Sequence, residues 1–424
     1  MTRLSRRGVL QSSAAIGAFS IAGCLGDLVA EDIDYEIWAA DQGTNTVYIY
    51  EPGEEDGDFG LVDEIDTGEV GGDVPHMVHF SSDYEYAAIA CTAGGRTLVY
   101  RTEDRELVAN LETGAVSHFA GFSPDDDAII VDAIGTSEIV KVDADLDNEE
   151  FEIVDAIEIN EEIDGLTEQE GSPVCHSYDH DGRSIHTLGP GYGNAGLVIV
   201  DHGDFEIDQA WSGDELPTNC GTIPHPSEDK FYLTAGLPSD PDEGVEGVGD
   251  FFVLDTDTDE ILVDGEDTGG VDAHGFWFTP DGEELWVLNR ETNDGIVIDP
   301  DTDEVVEDIS AFGEAQGDEP DERDAPDIMW ADPTGEYMFV TLRGPVPLSG
   351  DPHAATGVTP GFSVLDTDSK DIVTVVEPDP IDEYDEDEIQ AARDGEEDAP
   401  AIPDFHGIGV RVVGDSDSLT SPPY

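Results

Sequence analysis

The sequence predicts an all-β chain closed as a seven-bladed β-propeller, and three observations carry that reading. A unit of four short apolar runs recurs along the 424 residues, with first runs beginning near His76, His118, Cys175, Cys220, His274, Asp327 and His406. No segment between Tyr35 and Val413 keeps a long apolar period of 3.6 residues, and only the acidic DEYDEDEIQAARDG hints at a short helix. The two chain ends carry complementary fragments of a single unit.

Each element of the unit has its own warrant. FWFTPDGEELWVLNRETNDGIVIDPDTDEVVEDI shows all four runs: an apolar stretch, a Thr-Pro-Asp-Gly turn, a second stretch, a small-polar turn, a third ending in Asp residues, and a fourth. The runs are short, rich in Val, Ile, Phe, Tyr and Trp, and bounded by Gly, Asp and Asn, which is strand and turn chemistry. Four antiparallel strands, repeated, make a propeller blade. The last first-strand, HGIGVRVVG, has no successors, whereas EIWAADQGTNTVYIYE at the other end matches second and third strands. Pairing the two would close the ring and remove an exposed sheet edge.

Before the repeats lies a sorting signal. Ser5-Arg6-Arg7-Gly8-Val9-Leu10-Gln11 resembles a twin-arginine export motif, with Arg6 and Arg7 as its pair, and Ile21-Ala22-Gly23-Cys24 resembles a lipobox with Cys24 as the lipidated residue. The expected organisation is a signal over 1–24, a tether over 25–35, the propeller over 36–415 and a polar tail over 416–424. The expected location is the outer face of the cell membrane, reached by the twin-arginine route and held there by a lipid.

Charge narrows the partners. Against 15 Lys and Arg stand 102 Asp and Glu, a formal net charge of −87, spread through almost every turn. Such self-repulsion is tolerable when salt is plentiful, so the composition reads as adaptation to molar salt, as in halophilic archaea. It offers no basic patch for phosphates and excludes nucleic acid as a partner. A protein or an anionic small molecule on the propeller face remains open. No nucleophile elbow, phosphate loop or dinucleotide fingerprint occurs, so nucleophilic hydrolysis and nucleotide chemistry lack support.

The candidate site is a column of residues at the starts of first strands, six before the turn proline or its equivalent. His76, His118, Cys220, His274 and Asp327 occupy it, and the shared Asp-x-His-Gly sequence adds His406. In the third blade the column falls on Val174, with Cys175 and His176 one slip away; His176 is taken as the ligand. In a propeller these positions ring one mouth of the central channel. Imidazole and thiolate there suit copper first and zinc second, or iron, rather than calcium or magnesium. A haem is disfavoured because no C-x-x-C-H motif attaches one. Two alternatives stay open: histidines that brace neighbouring blades, and a metal-free pocket.

Arg290 and Arg343 fall at matching places past second strands on the same end. They read either as a clamp for an anionic substrate or as partners of nearby carboxylates. His180, His186 and His225 lie in or beyond turns and read as solvated, and His202 and His353 as loop residues. Cys91 reads as buried in a strand, with a Cys175–Cys220 disulfide as one fate of the remaining thiols.

The repeat, first strand, Ser-Pro-Asp-Gly-like turn, second strand and a third ending in Asp-Thr, resembles the YVTN/YncE-like repeat propellers over roughly residues 36–415. The resemblance implies fold far more than function. In architecture the chain is also similar to the propellers of nitrous-oxide reductase, haem-d1 nitrite reductase and selenium-binding proteins. In the first and last of these, imidazoles from several blades hold copper near the axis. This sequence departs from them in lacking His-His dipeptides and a cupredoxin domain, so their reactions do not carry over.

Overall fold

The computed structural model describes residues 33–414 apart from 55–56, 164–170, 190–195, 242, 318 and 397. The export motif with Arg6 and Arg7, the lipobox cysteine Cys24 and the polar tail lie outside the described residues. Among those described, seven four-stranded antiparallel sheets form the ring, as the repeats predict. The innermost strands are Pro75–Phe80, Ser117–Phe122, Ser172–Tyr178, Thr222–Pro224, Ala273–Phe278 and Pro326–Ala331 in blades 1 to 6, and Phe405–Val412 in blade 7. The last of these comes from the C-terminal end and pairs antiparallel with Tyr35–Asp41, so the ring closes between the two ends of the chain.

Second strands are buried along their whole length, as in Tyr86–Cys91, Ala128–Ala133 and Tyr337–Leu342. Both of their faces meet neighbouring blades, which is why they read as continuous apolar runs. Tyr86, Ala88 and Ala90 of blade 1, for example, pack with Ala120, Phe122, Ile129 and Val131 of blade 2. The outermost strands face solvent and carry much of the acidity. The acidic segment forms one helix, Glu386–Arg393, opened by a capping box between Asp385 and Glu388. No helix among the described residues is long and apolar enough to cross a membrane.

The inner strands are not regular. Pairing slips between Pro75 and Met77, between Ser117 and Phe119, between Ala273 and Phe276, and between Pro326 and Met329. A matching slip opposite Phe405 to Ile408 completes the set in blade 7. These bulges fall on His76, His118, His274, Asp327 and His406. A bulge inserts an unpaired residue and re-aims its side chain. Val74, Val116 and Asp272, each two residues ahead of a column histidine, are left-handed, with φ of 59°, 55° and 66°. Such a conformation is costly for a branched residue such as valine. The entry to these strands is therefore held in a set shape.

Candidate metal centre

The bulges turn the column inward, and the side chains meet around the axis. His76 stacks on His406 with ring centroids 3.6 Å apart, and its Nε2 lies 2.8 Å from Nε2 of His118. His118 Nδ1 is 3.6 Å from Cys175 Sγ, which is 3.0 Å from Cys220 Sγ. His274 Nε2 is 2.9 Å and His406 Nε2 3.7 Å from the Asp327 carboxylate. His76, Cys220, His274, Asp327 and His406 are all buried, and His118 is half-buried. The column thus becomes a continuous ring of side chains drawn from all seven blades.

His274, Asp327 and His406 have a ligand atom each within 4.8 Å of one another, a spacing that fits one metal ion. The atoms are also set up chemically. His406 donates from Nδ1 to the His76 carbonyl at 3.2 Å, which leaves its Nε2 lone pair free. Hydrogen bonding at one ring nitrogen while the other faces the metal is the usual arrangement of a ligating histidine. Both ring nitrogens of His274 are buried, and its Nε2 faces the Asp327 carboxylate at 2.9 Å. The Gln42 side-chain amide meets His76 Nδ1 and fixes that ring too.

The Asp-x-His-Gly repeat has a physical origin here. A Cβ on Gly275 would stand 2.3 Å from the Asp327 carbonyl, and one on Gly407 would stand 2.3 Å from the His76 carbonyl. Only glycine lets the next inner strand pass so close to the histidine. The Asp of each motif anchors an arginine: Asp272 accepts from Arg290 Nε at 2.7 Å, and Asp404 accepts from Arg343 Nε and Nη2, both at 2.8 Å. Arg343 also donates to Asp327 at 2.6 Å, while Arg290 Nη1 lies 3.4 Å from the same carboxylate. Arg343 is fully buried, and its Nη2 also donates to the Ser349 carbonyl at 3.0 Å. Its hydrogen-bonding capacity is therefore used within the protein. Arg290 lines the mouth.

Electrostatics divide the ring. Burial together with the charges of His406, His118 and Arg343 holds His76 neutral, well below the usual imidazole range. Burial also keeps His406 neutral, with Asp327 opposing it. His274 goes the other way. Burial and Arg290 oppose its charge, yet Cys220 and Asp327 prevail and raise it to about 9. Asp327 stays ionised: burial works against its charge, but His406, Arg290, His274 and Arg343 hold it well below the usual carboxylate range.

Above the ring lies a cavity of about 700 Å³, lined by His76, His118, Cys220, His274, Arg290 and His406. Leu348 to Asp351, in the loop that follows the strand Tyr337–Leu342, form one side of it. Below the ring is a chamber of about 70 Å³ among Met77, Phe119, Cys175, Cys220 and the stacked pair Trp277 and Trp330, whose centroids are 4.0 Å apart.

Three placements correct the sequence reading. His176 is not in the ring, because the slip in blade 3 spans Pro173 to His176 and brings Cys175 to the axis. His176 instead donates from Nδ1 to Asp132 at 2.6 Å, and His186 donates to the other oxygen of the same carboxylate at 2.6 Å. His186 is not solvated: it is fully buried on the strand Ser184–Gly189, and Ser184 connects it to His202 through contacts of 2.6 and 2.8 Å. His225, also read as solvated, is buried. Asp132, His176 and His186 also meet the spacing for a metal. In the metal-free protein the carboxylate accepts from both imidazoles and pins blade 2 to blade 3, while His176 Nε2 is buried without a hydrogen bond.

No protein-family model matches the sequence, and no functionally curated protein matches it. Solved structures do match in shape. A functionally unknown protein from Desulfotomaculum acetoxidans superposes with a TM-score of 0.57 at 11% identity, covering 90% of this chain and 99% of its own. Hydrazine synthase from Kuenenia stuttgartiensis gives 0.53 at 12% identity, covering 81% and 96%. A putative 6-phosphogluconolactonase from Bacteroides uniformis gives 0.50 at 17% identity, covering 64% and 80%. At these identities the likeness concerns the fold alone, and the fold is a seven-bladed β-propeller.

Proposed function

We propose that this propeller binds one transition-metal ion on its axis, copper first and zinc second, through His274, His406 and Asp327 with Cys220 beside them. The observation that carries the reading is the convergence of bulged residues from separate blades on one buried point, where His274, Asp327 and His406 offer ligand atoms within 4.8 Å of one another. Two imidazoles, a carboxylate and a thiol form a donor set for copper, zinc or iron and a poor one for calcium or magnesium. His76 and His118 adjoin this set and can join it by giving up the contact between their Nε2 atoms. With copper bound the centre would be capable of electron transfer. Arg290, at the cavity wall, is then the residue placed to meet an anion, while Arg343 holds Asp327, Asp404 and the Ser349 loop in position.

The twin-arginine motif and lipobox extend the proposal to an exported protein tethered to the membrane through Cys24. That route carries folded chains, so a metal could be inserted before export. The alternative, a surface propeller whose histidines only brace blades and whose face binds a partner, draws support from Asp132, which bridges His176 and His186 in that manner. Metal analysis separates the two. The protein purified in molar salt is expected to carry or take up about one copper or zinc per chain. The His118→Ala/His274→Ala variant should lose it while still unfolding cooperatively. A wild type that binds neither Cu²⁺ nor Zn²⁺ removes the metal reading and leaves the brace.

A further inference from the structure

We infer that Cys175 and Cys220 form a reversible redox site, closed to a disulfide by small disulfide compounds, and that closing it weakens the metal centre. The second half rests on the function proposed above; the first does not.

The two sulfurs come from adjacent inner strands, 45 residues apart in sequence, and lie 3.0 Å from each other. A covalent S–S bond is ~2.05 Å long, so about 1 Å of sulfur movement joins them. Both side chains are buried, yet they form the partition between the two cavities: Cys220 lines the mouth, and both line the inner chamber. The mouth, at about 700 Å³, admits a compound the size of cystamine to Cys220. His118 Nδ1 stands 3.6 Å from Cys175 Sγ. Cys91 is the internal contrast. It is fully buried on the second strand of blade 1, with its thiol directed at the Ile89 carbonyl at 3.8 Å, and it lines neither cavity.

The exchange balances without any further oxidant. The Cys220 sulfur attacks one sulfur of cystamine, the cystamine S–S bond breaks, and one cysteamine leaves with the proton that Cys220 gives up. Cys175 then attacks the Cys220 sulfur of the mixed disulfide, and the second cysteamine leaves with the proton that Cys175 gives up. One dithiol and one disulfide become one disulfide and two thiols. The pair then has no thiolate left to offer, and the metal keeps only its nitrogen and oxygen donors.

The test uses the full chain in molar salt, treated with cystamine, then alkylated after denaturation and mapped by peptide mass. Expected is a Cys175–Cys220 cross-linked peptide, with Cys91 still alkylated and full reversal by dithiothreitol. Zn²⁺ affinity of the cross-linked protein should fall at least tenfold and recover on reduction. A Cys175→Ser variant, which cannot close, should give no cross-linked peptide and instead retain one cysteamine on Cys220 after cystamine; a Cys91→Ser variant should behave as wild type. Recovery of Cys175 and Cys220 both alkylated after cystamine overturns the inference, as does a stable mixed disulfide on Cys220. A cross-link that leaves Zn²⁺ affinity unchanged overturns the coupling to the metal. A cross-link in a protein that never binds metal supports the redox site and counts against the metal centre alone.

Discussion

Replacing Asp327 by Asn tests how the ring is held together. The carboxylate is fully buried and faces Arg343 at 2.6 Å, His274 at 2.9 Å, Arg290 at 3.4 Å and His406 at 3.7 Å. Removing one partner of a buried ion pair costs ~3–5 kcal/mol, because the other charge is left uncompensated. Here each arginine keeps a second carboxylate, Asp272 for Arg290 and Asp404 for Arg343, which places the cost at the lower end, about 3 kcal/mol. An unfolding entropy of ~2.1 cal/mol/K per residue over roughly 380 residues gives ~0.8 kcal/mol/K, so Tm should fall by about 4 °C. Calorimetry of the metal-free protein in 1 M and 3 M KCl is the assay. Buried pairs are little screened, so the drop should be the same at both concentrations. Glu112→Gln is the control: its pair with Arg96, 2.8 Å long, leaves the Glu112 side chain 80% exposed and should be worth well under ~1 kcal/mol. An Asp327→Asn protein as stable as wild type, or a loss that vanishes in high salt, would refute the reasoning.

Other outcomes follow from the same geometry. Asp132→Asn removes the shared acceptor of His176 and His186 and should lower Tm by a few degrees, since each hydrogen bond to a buried charge is worth about 1.5–3 kcal/mol, while the metal content measured by mass spectrometry stays unchanged. Stability of the metal-free protein should fall as pH drops from 6.5 to 5. Burial lowers His79 and His202 to about 3, and it also lowers His76, His118, His186, His225 and His406. Unfolded imidazoles near 6.5 therefore bind protons that the folded ones refuse, and stability present above ~6.5 is lost on acidification. His274, raised to about 9, and Asp41 and Asp332, which burial raises to about 6, act in the opposite sense but are outnumbered; a Tm that rises on acidification would contradict this balance. Finally, with a net charge of −87, Tm should climb steeply as KCl is raised from 0.1 M to 2 M; a salt-independent Tm would mean the surface carboxylates are neutralised some other way.

Much of this architecture is written in the repeats. Blade number, the closing strand Phe405–Val412 and the convergence of His76, His118, His274, Asp327 and His406 follow from strand chemistry recurring in one register. The displacement of His176 arises because a bulge belongs to strand pairing and leaves little trace in sequence. In blade 3 the slip between Pro173 and His176 decides that Cys175 faces the axis and His176 faces Asp132. His186 was misjudged for its nearness to the Asp-His-Asp-Gly turn, although the strand begins only two residues after Gly182. Asp132 could not stand out among 102 acidic residues, and Gln42 sits in a loop that meets the ring only after the chain ends pair. The left-handed Val74 and Val116 are likewise invisible beforehand, since nothing about valine announces a positive φ. The arginine column was legible as a position, and its role depended on which carboxylates folding would bring to it.

The measurement that bears most directly on the central claim is X-ray absorption at the metal edge of protein purified in molar salt and loaded with one equivalent of Zn²⁺. The account requires imidazole scattering with nitrogen or oxygen ligands near ~2.0–2.1 Å and, in the dithiothreitol-treated protein, one sulfur near ~2.3 Å. A shell of oxygen alone, or the same spectrum from the His118→Ala/His274→Ala variant, would contradict it.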